Sequence, residues 1–461
     1  QDFSARVLFK SFKYFEEVFM KWYDGAVFYH IYPIGMTGAP RTNTFEIGEH
    51  RLNKVLDWLP HIKAMGSDAI YIGPLFESVA HGYETVDYKK LDSRLGDNED
   101  LKNFVKVCHE NGIKVILDGV FNHVGREFFA FKDLKEHREN SIYRDWFKNV
   151  HFDWNNDYND GLYYDSWDGH GTLVNLNHQN PAVREYFLNV ARFWISEFDI
   201  DGIRLDAADV LDFTFMRELR SVTDSCKSDF WLLGEVIHGD YTRWVNNEML
   251  HSVTNYWLHK ALYSGHNDHN YFEIAHTVKR CTDMGMHIAN AFYNFVDNHD
   301  VARIITKLNK KAHFFPVHVL LYTLPGKPSI YYGSEFAIEG EKKPYADELL
   351  RPELKIEDYK NAVTTNENTK RIAALGNMRL NNQWVGEAGY RELLLTNRQY
   401  AFLREYGDKR LVAIVNNDDN NVGINLNIGG RFTELFSGET RDFDGNMHVN
   451  IAGNSGQVWI G

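Results

Sequence analysis

KVILDGV, residues 114–120, sets Val115-Ile116-Leu117 directly before Asp118, with Phe121-Asn122-His123 following at once. A run this short and apolar reads as a strand buried on both faces, and the acidic residue as its polar C-terminal end. The pattern recurs on either side. Upstream lie VFYHIYP (27–33) and AIYIGP (69–74). Downstream lie DGIRLD (201–206), FWLLGE (230–235), HSVTNY (251–256), FYNFVD (292–297) and SIYYG (329–333), with helical segments between them. Eight strands alternating with helices predict an α/β chain whose parallel sheet closes into a (β/α)8 TIM barrel.

The gap between the third and fourth runs is nearly twice the one before it. That excess predicts a small subdomain inserted after the third strand, residues 124–178, rich in Trp, Tyr, Asn and Asp. The barrel itself then covers 25–123 and 179–380. Beyond 380 the helical rhythm stops. YAFLREY, RLVAIVNN, VGINLNI and QVWIG, punctuated by GD, NDDNN, GG and DGN, predict a C-terminal antiparallel β-sandwich over 381–461. At the other end Leu8, Phe12, Phe15, Phe19 and Trp22 share one helical stripe, so residues 1–24 read as an amphipathic helix. Its stripe should be buried on the barrel or in a homodimer, leaving a monomer or a homodimer as the expected states.

Composition narrows the function. Lys and Arg number 50 against 64 Asp and Glu, a net charge of −14, which speaks against nucleic acid or an anionic membrane as partner. Cys108, Cys226 and Cys281 are widely spaced and odd in number, which excludes a disulfide framework and a thiolate zinc site. Arg6, Lys10 and Lys13 break any export-signal core, and FFPVHVLLYTLPG is too short to span a bilayer, so a cytoplasmic location is expected. Aromatic residues reach 15 %, and such rings stack on the apolar faces of sugars. HNDHN (266–270) reads as a helix start and not a metal cluster, since Asn270 and Glu273 form a capping-box pattern.

Chemistry in such barrels gathers at the C-terminal ends of the strands. Those ends carry Asp118, Asp206, Glu235, Asp297 and Asp300. Several carboxylates aimed at one axis cost stability, and the reaction that calls for two of opposed pKa plus a third is glycoside hydrolysis or transfer.

From about residue 25 to 461 the chain resembles glycoside hydrolase family 13, the α-amylase family. The motifs in order are YHIYP (29–33), HGYETVDY (81–88), DGVFNH (118–123), LVNLN (173–177), GIRLD (202–206), GEVIH (234–238), FVDNHD (295–300) and PGKPSIYYGSE (325–335). The resemblance implies Asp206 as nucleophile, Arg204 as its partner, Glu235 as acid/base and Asp300 as the third carboxylate. It implies that His123 and His299 hydrogen-bond the sugar at the cleaved position above a Tyr83 platform, and that Asp118 is architectural. Asp347 and Arg351 match a pair that binds the next sugar in maltodextrin-degrading members. The apolar neighbours Leu232, Leu233 and Val236 are expected to surround the Glu235 carboxyl.

Two departures bear on metal. Asp209 and Val210 stand where calcium-dependent α-amylases place Lys and His, and DWNNDYNDG has Tyr158 where a calcium loop starting at Asp153 needs Gly. No cofactor is implied, and the departures argue against a structural calcium. A further departure is Glu84, where the family more often has Asp. The resemblance implies a cytoplasmic, retaining hydrolase of short linear or cyclic α-glucans. Its rivals are a transglycosylase or α-1,6-acting enzyme on the same site, and an inactive amylase-fold scaffold.

Overall fold

The computed structural model describes residues 20–344 and 346–461. Four of the five stripe residues of the expected N-terminal helix, Leu8, Phe12, Phe15 and Phe19, lie outside them. The fifth, Trp22, opens a short helix, Trp22–Gly25.

Eight parallel strands follow in the predicted places: β1 (Phe28–Ile31), β2 (Ala69–Ile72), β3 (Lys114–Gly119), β4 (Gly202–Leu205), β5 (Trp231–Gly234), β6 (Ser252–Val253), β7 (Tyr293–Asn294) and β8 (Lys327–Tyr331). They pair in the order β6-β5-β4-β3-β2-β1-β8-β7. A parallel bridge between Thr254 and Tyr293 links the two ends of that sheet and closes the barrel.

The alternation of side chains along the strands separates two cores. Phe28, Ala69, Tyr71, Ile116, Trp231, Leu233, Tyr293 and Phe295 fill the barrel's interior. The residues between them, among them Tyr29, Ile70, Val115, Leu117, Ile203 and Leu232, face outward into the helical layer. Both faces are therefore buried, which is why the runs are continuously apolar.

β6 and β7 are each two residues long, against the six of HSVTNY and FYNFVD. Side chains take over the ladder there. Thr254 Oγ1 accepts from Val236 N and donates to Val236 O, and Asn255 accepts from Leu258 N to start the helix Tyr256–Asn267. The helix after HNDHN forms at Tyr271–Asp283, but Asn270 makes no side-chain cap; Glu273 instead takes Lys260 and Ser264.

After β3 the chain leaves the barrel for a three-stranded antiparallel sheet, in which His170–Asn175 lies between His123–Gly125 and Ser166–Trp167. At the C-terminal end, β9 (Gly389–Leu395), β10 (Gln399–Tyr406), β11 (Lys409–Asn416), β12 (Val422–Leu426), β13 (Gly430–Glu434), β14 (Thr440–Phe443), β15 (Met447–Ile451) and β16 (Ser455–Ile460) form two antiparallel sheets. The larger has the order β9-β10-β11-β16-β13-β14 and the smaller pairs β12 with β15. Ala401, Leu403, Val412 and Ile414 of the larger pack on Ile424, Leu426, Met447 and Val449 of the smaller. Arg404 ties this module to the barrel: wholly buried, it donates to the carbonyls of Thr323, Val385, Ala388 and Gly389.

Candidate active site

β3, β4 and β5 end side by side, so Asp118, Asp206 and Glu235 reach the same point above the barrel. Arg204 on β4 rises between them. Its Nη1 donates to Asp118 Oδ1 (2.9 Å) and to Asp206 Oδ1 (2.8 Å), and its Nη2 pairs with Glu235 Oε2 at 2.8 Å. One guanidinium thus serves three carboxylates. Asp118 also receives the Tyr71 hydroxyl at 2.8 Å, which marks it as part of the frame.

Burial pushes the Asp206 carboxyl well above its ordinary value; Arg204 opposes this, while Glu235, Asp118 and Asp300 add to it. The next residue, Ala207, is held at φ 47°, a left-handed conformation that aims its N–H at Glu235 Oε2 (3.1 Å). The expectation for Glu235 needs correcting. Leu232, Leu233 and Val236 are buried, yet the carboxylate itself meets Arg204, the Ala207 N–H and the Tyr256 hydroxyl (3.0 Å).

Asp300 follows β7 and enters from the opposite side. Although burial works against it, His299 at 2.9 Å and Arg351 at 3.0 Å hold its carboxyl well below the usual carboxylate range. The His299 ring is nearly parallel to two phenol rings, Tyr83 at 5.7 Å and Tyr32 at 5.9 Å, and its Nε2 also meets the Tyr83 hydroxyl. His123 is buried and its Nε2 has no hydrogen-bond partner; burial lowers its pKa to about 3, so it is a neutral imidazole near Asp206 (3.9 Å). Asp297, by contrast, is spent on Ser334 and the Ile304 N–H, away from the cleft.

Asp347 and Arg351 do pair, at 3.2 Å. The guanidinium, however, turns inward to Asp300 and the His299 carbonyl and lies over the Tyr32 ring. Glu84, the departure from the family pattern, reaches His81 Nε2 at 3.0 Å.

Tyr83, His123, Asp206, Glu235, Asp300, Asp347 and Arg351 line one cleft of about 1030 Å³, with Arg204 and His299 behind them. That volume is at the upper end for small-molecule sites, about 300–1,000 Å³, and accommodates more than one sugar ring. The cleft also has walls the motifs do not contain. Trp167, Asp168 and His170 overhang it from the inserted segment. Trp167 pairs with His170 across a tight turn whose Asp168 and Gly169 have φ 48° and 76°. An Asp-Gly pair between aromatic residues is the hairpin signal that could have found this wall. Tyr256 was legible only as the last residue of a strand run.

In the loop 152–162 two guanidinium groups already take part of the oxygen set: Arg126 pairs with the Asp160 carboxylate, and Arg138 donates to the carbonyls of Phe152, Asp160 and Gly161, while the Asp153 and Asp157 carboxylates are exposed. Among the described residues, the cluster His50, Asp97 and Asp100 is taken up by capping the helix Asn98–Glu110.

The family model for the α-amylase catalytic domain matches residues 31–409, and the model for the α-amylase C-terminal all-β domain matches residues 395–460. The chain belongs to the α-amylase family. It is therefore a glycoside hydrolase, built on the barrel and C-terminal β-module of that family. A cyclomaltodextrinase of Thermoanaerobacter pseudethanolicus is 32 % identical over 84 % of this chain and 67 % of its own length. An intracellular maltogenic amylase of Bacillus subtilis is 30 % identical over 70 % of this chain and 57 % of its own. The chain thus spans about three-fifths to two-thirds of the length of these curated relatives. Among solved structures, a debranching enzyme of Nostoc punctiforme superposes with a TM-score of 0.81 at 27 % identity, covering 95 % of this chain and 98 % of that one.

Proposed function

We propose that this protein hydrolyses α-glucosidic bonds, mainly α-1,4, in short linear or cyclic maltooligosaccharides, with retention of configuration and through a covalent glycosyl–enzyme intermediate. The observation that carries this reading is the shared guanidinium. Asp206 and Glu235 bind neighbouring nitrogens of Arg204. Two carboxylates on one guanidinium are close neighbours, which supports the short separation of retaining enzymes, about 5–5.5 Å, over the wider one that admits an inverting water.

In the first half-reaction an oxygen of Asp206 bonds to the anomeric carbon as the glycosidic C–O bond breaks, and Glu235 gives its proton to the departing oxygen. Water then loses a proton to Glu235, bonds to the anomeric carbon and releases Asp206. Asp300, kept ionised by His299 and Arg351, stabilises the positive charge that develops on the sugar ring. On the family pattern His123 and His299 bond its hydroxyls and Tyr83 lies beneath it; His123 and Tyr83 line the cleft, and Asp347 with the outer edge of Arg351 borders the next sugar. None of these steps draws on a metal.

The relatives named cyclomaltodextrinase and intracellular maltogenic amylase support the substrate class and a cytoplasmic setting. The likeness to a debranching enzyme favours, as a second reading, α-1,6 bonds on the same site. Product analysis on maltotriose, a cyclodextrin and pullulan separates the two. Proton NMR of the first sugar released from an α-linked substrate should show the α-anomer; an initial β-anomer refutes the mechanism.

A further inference from the structure

The two oxygens of Glu235 have different neighbours. Oε2 faces the Arg204 guanidinium at 2.8 Å and the Ala207 N–H at 3.1 Å. Both groups can only donate, so a proton on Oε2 would point into other protons. Oε1 faces the Tyr256 hydroxyl at 3.0 Å, and a hydroxyl can donate or accept.

We propose that Tyr256 is a positioning residue: it makes Oε1 the oxygen that carries the catalytic proton, and its hydroxyl stabilises, by donating a hydrogen bond, the negative charge left on Oε1 when the proton departs. The inference rests on the acid/base role given to Glu235 above.

The orientation of the phenol is built into the fold. Asn298 Oδ1 accepts the N–H groups of Asp300 (2.8 Å) and Val301 (3.1 Å), which leaves its amide nitrogen to donate to Tyr256 Oη at 3.4 Å. With that lone pair taken, the phenol's own proton turns to Glu235. Burial and the nearby Glu235 and Asp300 push the Tyr256 phenol well above its ordinary value, so it stays an O–H donor through the cycle. Tyr256 is the first residue of the helix Tyr256–Asn267, just past β6, and its ring meets the edge of Phe295 at 5.0 Å. The hydroxyl is thus aimed by backbone and packing together.

In the forward step the proton leaves Oε1 for the glycosidic oxygen while the C–O bond breaks. The new carboxylate oxygen takes the Tyr256 hydrogen bond at full strength. In the second half-reaction Oε1 regains a proton from water.

Tyr256→Phe removes one oxygen and keeps the ring. The test compares kcat/KM of wild type and variant on maltotriose and on α-maltosyl fluoride, whose fluoride departs with little need of a proton donor. For maltotriose the variant should lose about 10- to 100-fold, the loss expected for a hydrogen bond to a developing charge. For the fluoride the loss should be at least about fivefold smaller. Equal losses on both substrates would show that the ring merely shapes the cleft, and no loss on either would show that the hydroxyl is idle; both overturn the proposal while the hydrolase reading stands. A wild type that turns over neither substrate overturns the hydrolase reading itself.

Discussion

At the N-terminal end of the barrel Trp231 stacks on Phe28 at 4.8 Å, with Tyr293 edge-on to Phe28 and Trp22 closing the opening from below. Just beyond the other end of the same strand, Glu235 shares Arg204 with Asp206 and Asp118. The lower end is apolar, interdigitated and self-satisfied. The upper end crowds like charges around one cation and holds Ala207 in a left-handed conformation. Such an arrangement opposes folding, and the packed lower half offsets it. Stability and chemistry therefore occupy opposite ends of the same strands, and each can be attacked separately.

The largest expected effect is at the top. Asp206→Asn or Glu235→Gln should lower turnover by about 10⁴-fold or more, because each group enters the bond-making chemistry. Melting temperature should not fall, since one of the crowded charges is removed. A variant retaining a tenth of wild-type rate on a natural glucan would break the assignment.

The converse test is at the bottom. Trp231→Ala leaves a cavity among Phe28, Tyr293 and Trp22 and should cost about 3–5 kcal/mol in denaturant unfolding. KM of the remaining folded enzyme should stay at the wild-type value. A raised KM would show that the two ends are coupled.

A smaller effect sharpens the account of the top. Arg351→Gln removes the guanidinium that, beside His299, holds the Asp300 carboxyl below the usual range. Depressed in the folded protein, this carboxyl stabilises the fold above the ordinary carboxylate value, about 4, and that contribution fades as pH falls further. Without Arg351 the acidic limb of kcat/KM should move to higher pH, with a loss of about 10-fold at pH 5 and less at pH 7. An unmoved limb would leave Arg351 with a sugar-binding role only. Smallest of all, EDTA should change kcat/KM by less than about twofold, because Val210 stands where a calcium-holding His is expected and guanidinium groups take part of the oxygen set of loop 152–162. Loss restored by calcium would show ligands elsewhere in the inserted segment.

The barrel was legible because burial on both faces writes a short, local signal, and the strands lie where their apolar runs lie. β6 and β7 were overcounted for a reason the pattern cannot carry: Thr254, Asn255 and Asn294 replace ladder bonds with side-chain bonds. The acidic strand ends were legible for the same local reason. The wall formed by Trp167, Asp168 and His170 went unread, although Asp168-Gly169 carries a local turn signal.

What could be read along the chain was what depends on near neighbours: strand period, apolar runs, an acidic residue at a strand's end, the spaced motifs. What required the folded molecule was the choice of partners far apart in the chain. Arg351 reaches Asp300 across 51 residues, and Tyr256 reaches Glu235 across 21. Arg204 divides itself among three carboxylates on neighbouring strands. A hydrogen bond depends on distance and direction in space, and closing the barrel brings those strand ends together.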